Sequence, residues 1–387
     1  MNIISIDNLG LVLLSGLVLC FCIQIFYYLY FYAKPLFYRN KVRKNKITKQ
    51  LVDSYPGVSV IITAKNESEN LSKFLPSILE QNYENFEVIV VNESSTDESE
   101  DILGMLEQKY SNLYKTYVPV GAKGICSKKL ALTVGIKAAK YDILLFTEAN
   151  NQPLSKDWIK SMAGNFDKKT EIVLGFGRFN DFGFTSKIAG FDHLFTGLKY
   201  LSRAIMKHPY MGIGSNLAYR KELFFSKKGF SQWLNMQYGE DDLFVNEFAN
   251  ETNTRVEISP KSLTQINIDS FKNWRYLKSC RKTTQNYFKG TEVGLWRIES
   301  ASRFLFWGLV IAIYILYRNT IYVPAFAAFL FILKFVVQYI VINKSAKMFL
   351  IKPFRFSLLL FDLLQPAFNF YFYFYSLTKG KNDYIWR

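Results

Sequence analysis

The chain has 387 residues, 50% of them hydrophobic and 17% aromatic, and carries 48 Lys and Arg against 32 Asp and Glu, a formal net charge of +16. That composition excludes a disordered chain, and the length accommodates a soluble domain of roughly 200–250 residues beside other modules. Mean hydropathy is near zero because a polar middle is averaged with apolar ends. The four cysteines, Cys20, Cys22, Cys126 and Cys280, show no metal-ligand or disulfide-framework spacing and read as reduced.

Residues 9–33 carry no charge, a run long enough to cross a bilayer core as a helix. No basic stretch precedes the run and no small-residue cleavage site follows it, so it reads as an anchor and not as a signal peptide. Lys34, Arg39, Lys41, Arg43, Lys44, Lys46 and Lys49 follow directly. Such a density belongs on the cytoplasmic face and leaves the N-terminus outside.

Between residues 56 and 258, strand-like apolar runs (58–63, 86–91, 116–118, 142–147, 171–176) alternate with helical stretches (67–81, 97–109, 127–140, 153–167). This is the pattern of an α/β fold, a mostly parallel sheet covered by helices on both faces. Ligands of such sheets bind beyond the carboxyl ends of the strands. There the chain places Ala64-Lys65-Asn66-Glu67, Asn92-Glu93-Ser94-Ser95-Thr96-Asp97 and Glu148-Ala149-Asn150-Asn151. Ser95, Thr96 and Asp97 suit helix caps; three polar clusters on one sheet edge also suit a crevice for a ribose, a base and a metal-bound phosphate.

Towards the C-terminus, residues 304–317 and 320–342 are two apolar runs, and Lys344, Lys347, Lys352 and Arg355 return the chain to the cytoplasm. Residues 354–377 are apolar but contain Asp362, Gln365, Pro366 and Asn369. This segment either spans, which places Lys379, Lys381 and Arg387 outside, or lies at the interface. The expected plan is an N-terminal transmembrane helix (1–33), a basic linker (34–55), a cytosolic domain (56–265), amphipathic interfacial helices (266–300), two spans (301–343) and a third span or interfacial helix with a basic tail (344–387). The basic surplus suits anionic lipid headgroups, and no nucleic-acid motif accompanies it. Few charges fall within the apolar runs, which disfavours a transporter.

The segment VSVIITAKNESENLSKFLPSILEQNYENFEVIVVNESSTDES resembles the opening of the family 2 glycosyltransferases, inverting nucleotide-sugar enzymes with the GT-A fold. The resemblance runs over about residues 58–290, and the flanking apolar runs match the membrane-bound branch of that family. It implies that Glu93 contacts the nucleobase; a carboxylate there accepts from a uracil N–H, which favours a UDP-linked donor. Lys65, Glu67 and Lys128 are implied on the donor side. Where the family has Asp-x-Asp for Mg²⁺ or Mn²⁺, this chain reads Glu148-Ala149-Asn150. Glu148 and Asn150 thus become the metal ligands, with one formal charge fewer. Either a working enzyme with altered ligands or a degenerate donor-binding subunit fits that change.

Tyr238-Gly239-Glu240-Asp241-Asp242-Leu243 resembles the family's acidic acceptor-side motif. Asp241 is the implied general base, Glu240 its catalytic neighbour, and Asp242 an acceptor-binding or capping residue. Met211-Gly212-Ile213-Gly214-Ser215-Asn216-Leu217-Ala218-Tyr219 resembles the element beneath the acceptor, with Asn216 toward an acceptor hydroxyl. The family's Gln-x-x-Arg-Trp is reduced to Arg281-Lys282, Arg281 being the residue that meets the leaving diphosphate. On the bland reading, Lys272, Arg275, Lys278, Arg281, Lys282 and Lys289 face anionic lipid. The missing Trp removes the platform of a processive synthase, and neither His193 nor His208 is assigned to catalysis. The expected reaction is sugar transfer from a nucleotide donor to a lipid-linked or glycan acceptor at the cytoplasmic membrane face.

Overall fold

The computed structural model describes residues 7–44, 55–118, 127–181, 183–234, 236 and 238–378. Lys46, Lys49, Cys126, Lys379, Lys381 and Arg387 lie outside the described residues. Cys20, Cys22 and Cys280 are free thiols, as their spacing suggests.

The chain opens with α1 (Asn8–Phe26), passes through one π-helical segment (Tyr27–Tyr32) and continues as α2 (Lys34–Arg43), so the basic stretch begins as helix. The α/β unit then runs β1 (Val58–Ala64), α3 (Ser68–Leu79), β2 (Phe86–Asn92), α4 (Ser99–Lys109), β3 (Leu113–Tyr117), α5 (Ser127–Ala138) and β4 (Ile143–Glu148). These are the elements whose apolar periodicity is strongest. In α3 the spacing of Leu71, Phe74, Leu75, Ile78 and Leu79 makes one buried face.

Beyond β4 the expected helix over 153–167 shrinks to α6 (Trp158–Ala163), because Asn151–Pro153 pairs instead as β5. The expected strand over 171–176 divides into β6 (Ile172–Leu174) and β7 (Gly177–Phe179), which belong to different sheets. The crossing is made at Gly175, where a Cβ would stand 2.5 Å from the Asn216 side chain. The unit is completed by α7 (Phe184–Ile205), β8 (Leu217–Arg220), α8 (Lys221–Ser226), α9 (Asp242–Phe248), β9 (Thr254–Val256), β10 (Thr264–Ile266) and α10 (Phe271–Thr284).

The main sheet has seven strands in the order β3-β2-β1-β4-β8-β6-β9, and a small sheet has the order β5-β10-β7. Strands β1 to β4 are parallel, while β8 is antiparallel to both neighbours. Alternate residues of each strand feed opposite cores. Val58, Val60 and Ile62 of β1 join Leu71 and Ile78 on one face, while Ile61 joins Ala131 and Ile136 of α5 on the other.

Three helices are long and apolar enough to cross a membrane: Asn8–Arg43, α11 (Glu292–Leu316) and α12 (Tyr322–Met348). α13 (Ser357–Thr378) packs against α10 and α11. The core beneath the sheet continues into them, because Tyr28 and Tyr32 of the π segment and Ile342 and Met348 of α12 belong to the same apolar cluster as Ile61 and Phe146. Few charges were expected within the apolar runs, yet Lys334 and Asp362 sit buried together among these helices, beside Glu299 and Arg303 of α11. Asp362 accepts from Lys334 Nζ at 2.5 Å, Gln338 Nε2 at 2.8 Å and Trp307 Nε1 at 3.0 Å. These bonds tie α13 into the helix bundle, so the charges act as an internal tether, which a count of charges along the sequence does not show.

Candidate active site

Strand register builds the site. Thr63 of β1 pairs with Glu148 of β4, and Ala64 pairs with Asn92 of β2, so the three polar clusters emerge side by side at the carboxyl edge. Asn66 and Ser94 take left-handed backbone (φ 55° and 57°), which Asn tolerates better than most residues. A web of side-chain bonds joins their loops: Ser95 Oγ accepts from Asn66 N at 2.9 Å, Asn66 Oδ1 accepts from Thr96 N at 2.8 Å, and Asp97 Oδ2 accepts from Ser68 N at 3.0 Å. Burial opposes ionisation of Asp97, but bonds from Ser99 and Ser68 outweigh it and hold the carboxyl at about 2. The capping expectation for Asp97 is thus met on the neighbouring helix α3.

Glu93 is buried, and its carboxylate accepts from Ser127 Oγ at 2.9 Å. Burial pushes its carboxyl up, against Ser127 and the nearby charges of Lys128 and Lys65. Glu67 is raised too, by burial and then by the carboxylates of Glu148, Asp269 and Asp97. Asp269, which no sequence signal singled out, thus belongs to this edge.

Lys128 is the hub of the crevice. Its ammonium lies 2.8 Å from Glu240 and 3.2 Å from Glu148. Burial alone would discharge it, but Glu240 and Glu148 raise it well above the ordinary lysine range. Lys128, Glu148, Glu240, Asp241, Gly214 and Tyr219 border one small cavity of about 30 Å³.

Asp241 accepts from Gly214 N at 2.6 Å through Oδ2 and from Asp242 N at 2.7 Å through Oδ1, which makes it the N-cap of α9. Gly239, at φ 98°, turns the chain into this position, and a Cβ there would meet Leu243 at 2.4 Å. Burial and the charge of Glu240 raise the Asp241 carboxyl, against Lys128 and the two backbone donors. Burial would raise Glu240 as well, but Lys128 prevails and lowers it. The environment thus separates the two neighbours into a charged anchor and a more basic carboxylate.

Three expected roles are corrected by the geometry. Asn216, 1% exposed, accepts from Trp158 Nε1 at 3.0 Å and donates to the carbonyls of Phe176 and Ser262. Both amide hydrogens and the oxygen are engaged inside the core, away from any acceptor. Asp242, 3% exposed, accepts from Thr284 Oγ1 and Leu243 N, pins α9 to α10, and is raised well above the carboxylate range by burial and by Asp241. Arg281 does not border the crevice; it faces a separate cavity, with its guanidinium 3.2 Å from His193 Nδ1.

Sequence reasoning also missed Lys129. It is 0% exposed, and its ammonium donates to the carbonyls of Trp233, Met236 and Tyr238, the loop that delivers Gly239 and Glu240. The available signal was its helical spacing with Leu132 and Ile136, which puts a lysine on a buried face.

Among the described residues no three His, Cys, Asp or Glu side chains come together as a metal cluster. Glu148 and Asn150 nevertheless fit a hard cation that takes its remaining ligands from phosphate and water. Asn150 Nδ2 donates to Asn267 O at 3.0 Å, while its Oδ1 is buried without a hydrogen-bond partner. An orphaned buried acceptor is costly unless a ligand completes it.

Residues 59–225 match the sequence model of Glycosyl transferase family 2. The chain carries a family 2 glycosyltransferase domain. It is similar to a poly-beta-1,6-N-acetyl-D-glucosamine synthase of Staphylococcus aureus (strain COL), with 28% identity over 32% of this chain and 29% of that protein. It is also similar to a poly(ribitol-phosphate) beta-glucosyltransferase of Bacillus spizizenii, with 28% identity over 30% of this chain and 18% of that protein. The chain thus spans under a third of the length of these relatives. A mannosyltransferase of Pyrobaculum calidifontis, solved with GDP-Man and Mn²⁺, superposes with TM-score 0.54 and 18% identity, covering 90% of this chain and 99% of that one. At that identity the likeness bears on fold, and the fold is GT-A.

Proposed function

We propose that this chain transfers a sugar, with inversion, from a uridine diphosphate donor to a lipid-linked or glycan acceptor at the cytoplasmic face of a membrane. Asp241 carries the reading: it is a carboxylate of raised basicity, aimed by Gly214 N–H and bordering the same small cavity as Lys128, Glu148 and Glu240. The acceptor oxygen attacks the anomeric carbon on the face opposite the diphosphate. Asp241 takes the hydroxyl proton as the new C–O bond forms, and the old C–O bond breaks with its electron pair leaving on the diphosphate.

Glu240 and Glu148 hold the Lys128 ammonium at the crevice, a fixed positive charge for the departing diphosphate. Glu93 accepts from the base, with Lys65 beside it. A divalent ion held by Glu148 and Asn150 Oδ1 would supply further neutralisation of the diphosphate. The cytosolic placement rests on the basic residues Lys34 to Lys44 that follow α1. The relatives' names speak of a poly-N-acetylglucosamine and of glucosyl transfer with poly(ribitol-phosphate), which supports a hexose or N-acetylhexosamine donor for a cell-envelope glycan.

Thermal shift over a panel of nucleotide sugars tests the donor, because ligands of the native state raise apparent stability. Stabilisation by UDP-sugars above GDP-sugars is expected, and the reverse order overturns the uridine assignment. The Glu148-Ala149-Asn150 departure keeps a second reading in play, a subunit that binds donor without turnover. Slow hydrolysis of a UDP-sugar in Mn²⁺ eliminates it.

A further inference from the structure

A second cavity, of about 370 Å³, lies where α7, α10, α11 and α13 meet. Its wall has two characters. Lys199, Lys278, Arg281, Lys282 and Arg297 all face it. Two of them have carboxylate partners: Lys278 with Asp192 at 2.5 Å, and Lys199 with Glu299 at 3.6 Å. Arg281 rests on His193, which accepts through Nδ1 while its Nε2 meets the carbonyl of Gly177 at 2.7 Å. Burial and the positive charge of Arg281 depress that imidazole to about 3, so the histidine is neutral and cancels none of the charge. Among the described residues Lys282 donates only to the amide oxygen of Gln285, at 3.5 Å. Burial lowers its ammonium to about 8, and Lys199, Lys278 and Arg297 push in the same direction. Among the described residues Arg281, Lys282 and Arg297 make no ion pair. Cations gathered in a partly desolvated cavity without counter-charge are unfavourable until an anion joins them.

The rest of the wall is apolar and aromatic. Trp274 and Trp296 are buried in it, and Phe370 and Tyr373 of α13 line its outer side while remaining 52% and 41% exposed. Phe304 of α11, equally exposed, packs its ring 5.5 Å from that of Phe370. The seam between α11 and α13 is therefore aromatic where it faces outward, as expected beside lipid. Inward, α10 is tied to α9, whose N-cap is Asp241, by Thr284 Oγ1 donating to Asp242. Cys280, flanking Arg281 on α10, is pushed up to about 12 by burial, against a bond from Tyr238, and the charges of Glu240 and Lys128 both reach it.

We propose that this cavity anchors a lipid-linked acceptor: Arg281, Lys282 and Arg297 take the phosphate that joins its glycan to a single hydrocarbon chain, the chain leaves between α11 and α13, and a hydroxyl of the glycan is the group that Asp241 deprotonates. This deepens, and rests on, the reading of Asp241 as base for an acceptor at the membrane face. A volume near the lower end of ligand pockets suits one headgroup and the start of one chain.

The test is binding of labelled farnesyl phosphate to the full-length protein in detergent, with UDP binding by calorimetry as the control. Farnesyl phosphate should bind about tenfold or more tightly than farnesol or inorganic phosphate, since each lacks half of the recognised chemistry. The double variant K282E/R297E should weaken it by about tenfold or more while leaving UDP binding unchanged. Ala301→Trp, which fills the cavity without touching a charge, should do the same and covers the case in which the double variant fails to fold. Displacement by UDP would make this a donor site, and equal displacement by phosphatidylglycerol would make it a bulk-lipid contact. Either result overturns the proposal, as does binding unaffected by both variants. Loss of farnesyl phosphate binding with UDP-sugar hydrolysis intact would refute the anchor alone. Absence of both binding and hydrolysis in a folded protein would also remove the reading on which it rests.

Discussion

Lys128 in the crevice and Lys334 in the helix bundle each bring an ammonium to carboxylate oxygens, at 2.8 and 3.2 Å for the half-buried first and 2.5 Å for the buried second. Their surroundings differ in closure. Around Lys334, both oxygens of Asp362 are engaged, Oδ2 by Lys334 and Trp307 and Oδ1 by Gln338 with Arg303 at 3.4 Å. Around Lys128, Glu148 is 33% exposed and Glu240 Oε2 is buried without a hydrogen-bond partner among the described residues, as is Asn150 Oδ1, two residues beyond Glu148. A set of charges whose carboxylate oxygens are all engaged holds helices together. An open one, with acceptors waiting and solvent access on one side, is a place for a ligand.

The largest effect that would break this comparison is at Asp241. Asp241→Asn keeps the shape and removes the proton acceptor, so transfer of label from a UDP-sugar to membrane acceptors should fall about 10²–10⁴-fold, with UDP binding by calorimetry unchanged. Asp242→Asn should cost transfer far less, because that side chain faces Thr284 and not the cavity. If both variants match the parent, the acidic cluster does not supply the base.

In the bundle the loss should appear in stability. Asp362→Leu strands Lys334, and breaking a buried pair typically costs about 3–5 kcal/mol. The thermal midpoint of the detergent-solubilised protein should drop, and adding Lys334→Met should restore most of it. An Asp362→Leu variant as stable as the parent would show that the cluster is not a tether.

Smaller effects sharpen the donor side. Glu93→Ala should weaken UDP binding by at least ~1 kcal/mol, the scale of a hydrogen bond to a charged group. Asn150→Asp should tighten Mn²⁺ binding by restoring a ligand charge. UDP binding indifferent to EDTA and to both substitutions would mean that the nucleotide sits elsewhere.

The smallest expected effect is a displacement of the pH profile. Asp241 must be unprotonated to act, so transfer should fall as pH drops through its raised pKa, and the acid limb should lie above the ordinary carboxylate range. Glu240 contributes to that elevation by its charge. Glu240→Gln should therefore move the limb to lower pH, and a limb that stays in place or rises would contradict the coupling.

The parallel strands β1, β2 and β4, the helices between them and the polar clusters at their ends were legible in the chain, because buried parallel strands are continuous apolar runs and their ends must carry the chemistry. Elements of three residues, such as β5, β7 and β10, were not, since short pairings carry no periodicity of their own. The site divides the same way. Glu93 and Glu148 follow or end strands that the register sets side by side, and Lys128 and Asp241 border one cavity with Glu148. Asn216, in a motif with the same polar character, points into the core because Trp158 and two carbonyls bind its amide there.

Residue order alone determined the alternation of apolar runs, the acidic turns at strand ends and the apolar helices flanking them, because each is a local pattern with a local cause. Only tertiary structure decided which way each polar group faces. Lys128 and Lys129 are adjacent on one helix, yet one ammonium reaches the carboxylates of the crevice and the other is enclosed by three carbonyls. Successive residues of a helix project about 100° apart, so the packing around α5, and no property of lysine, gives one of them to the site and the other to the loop that supports it.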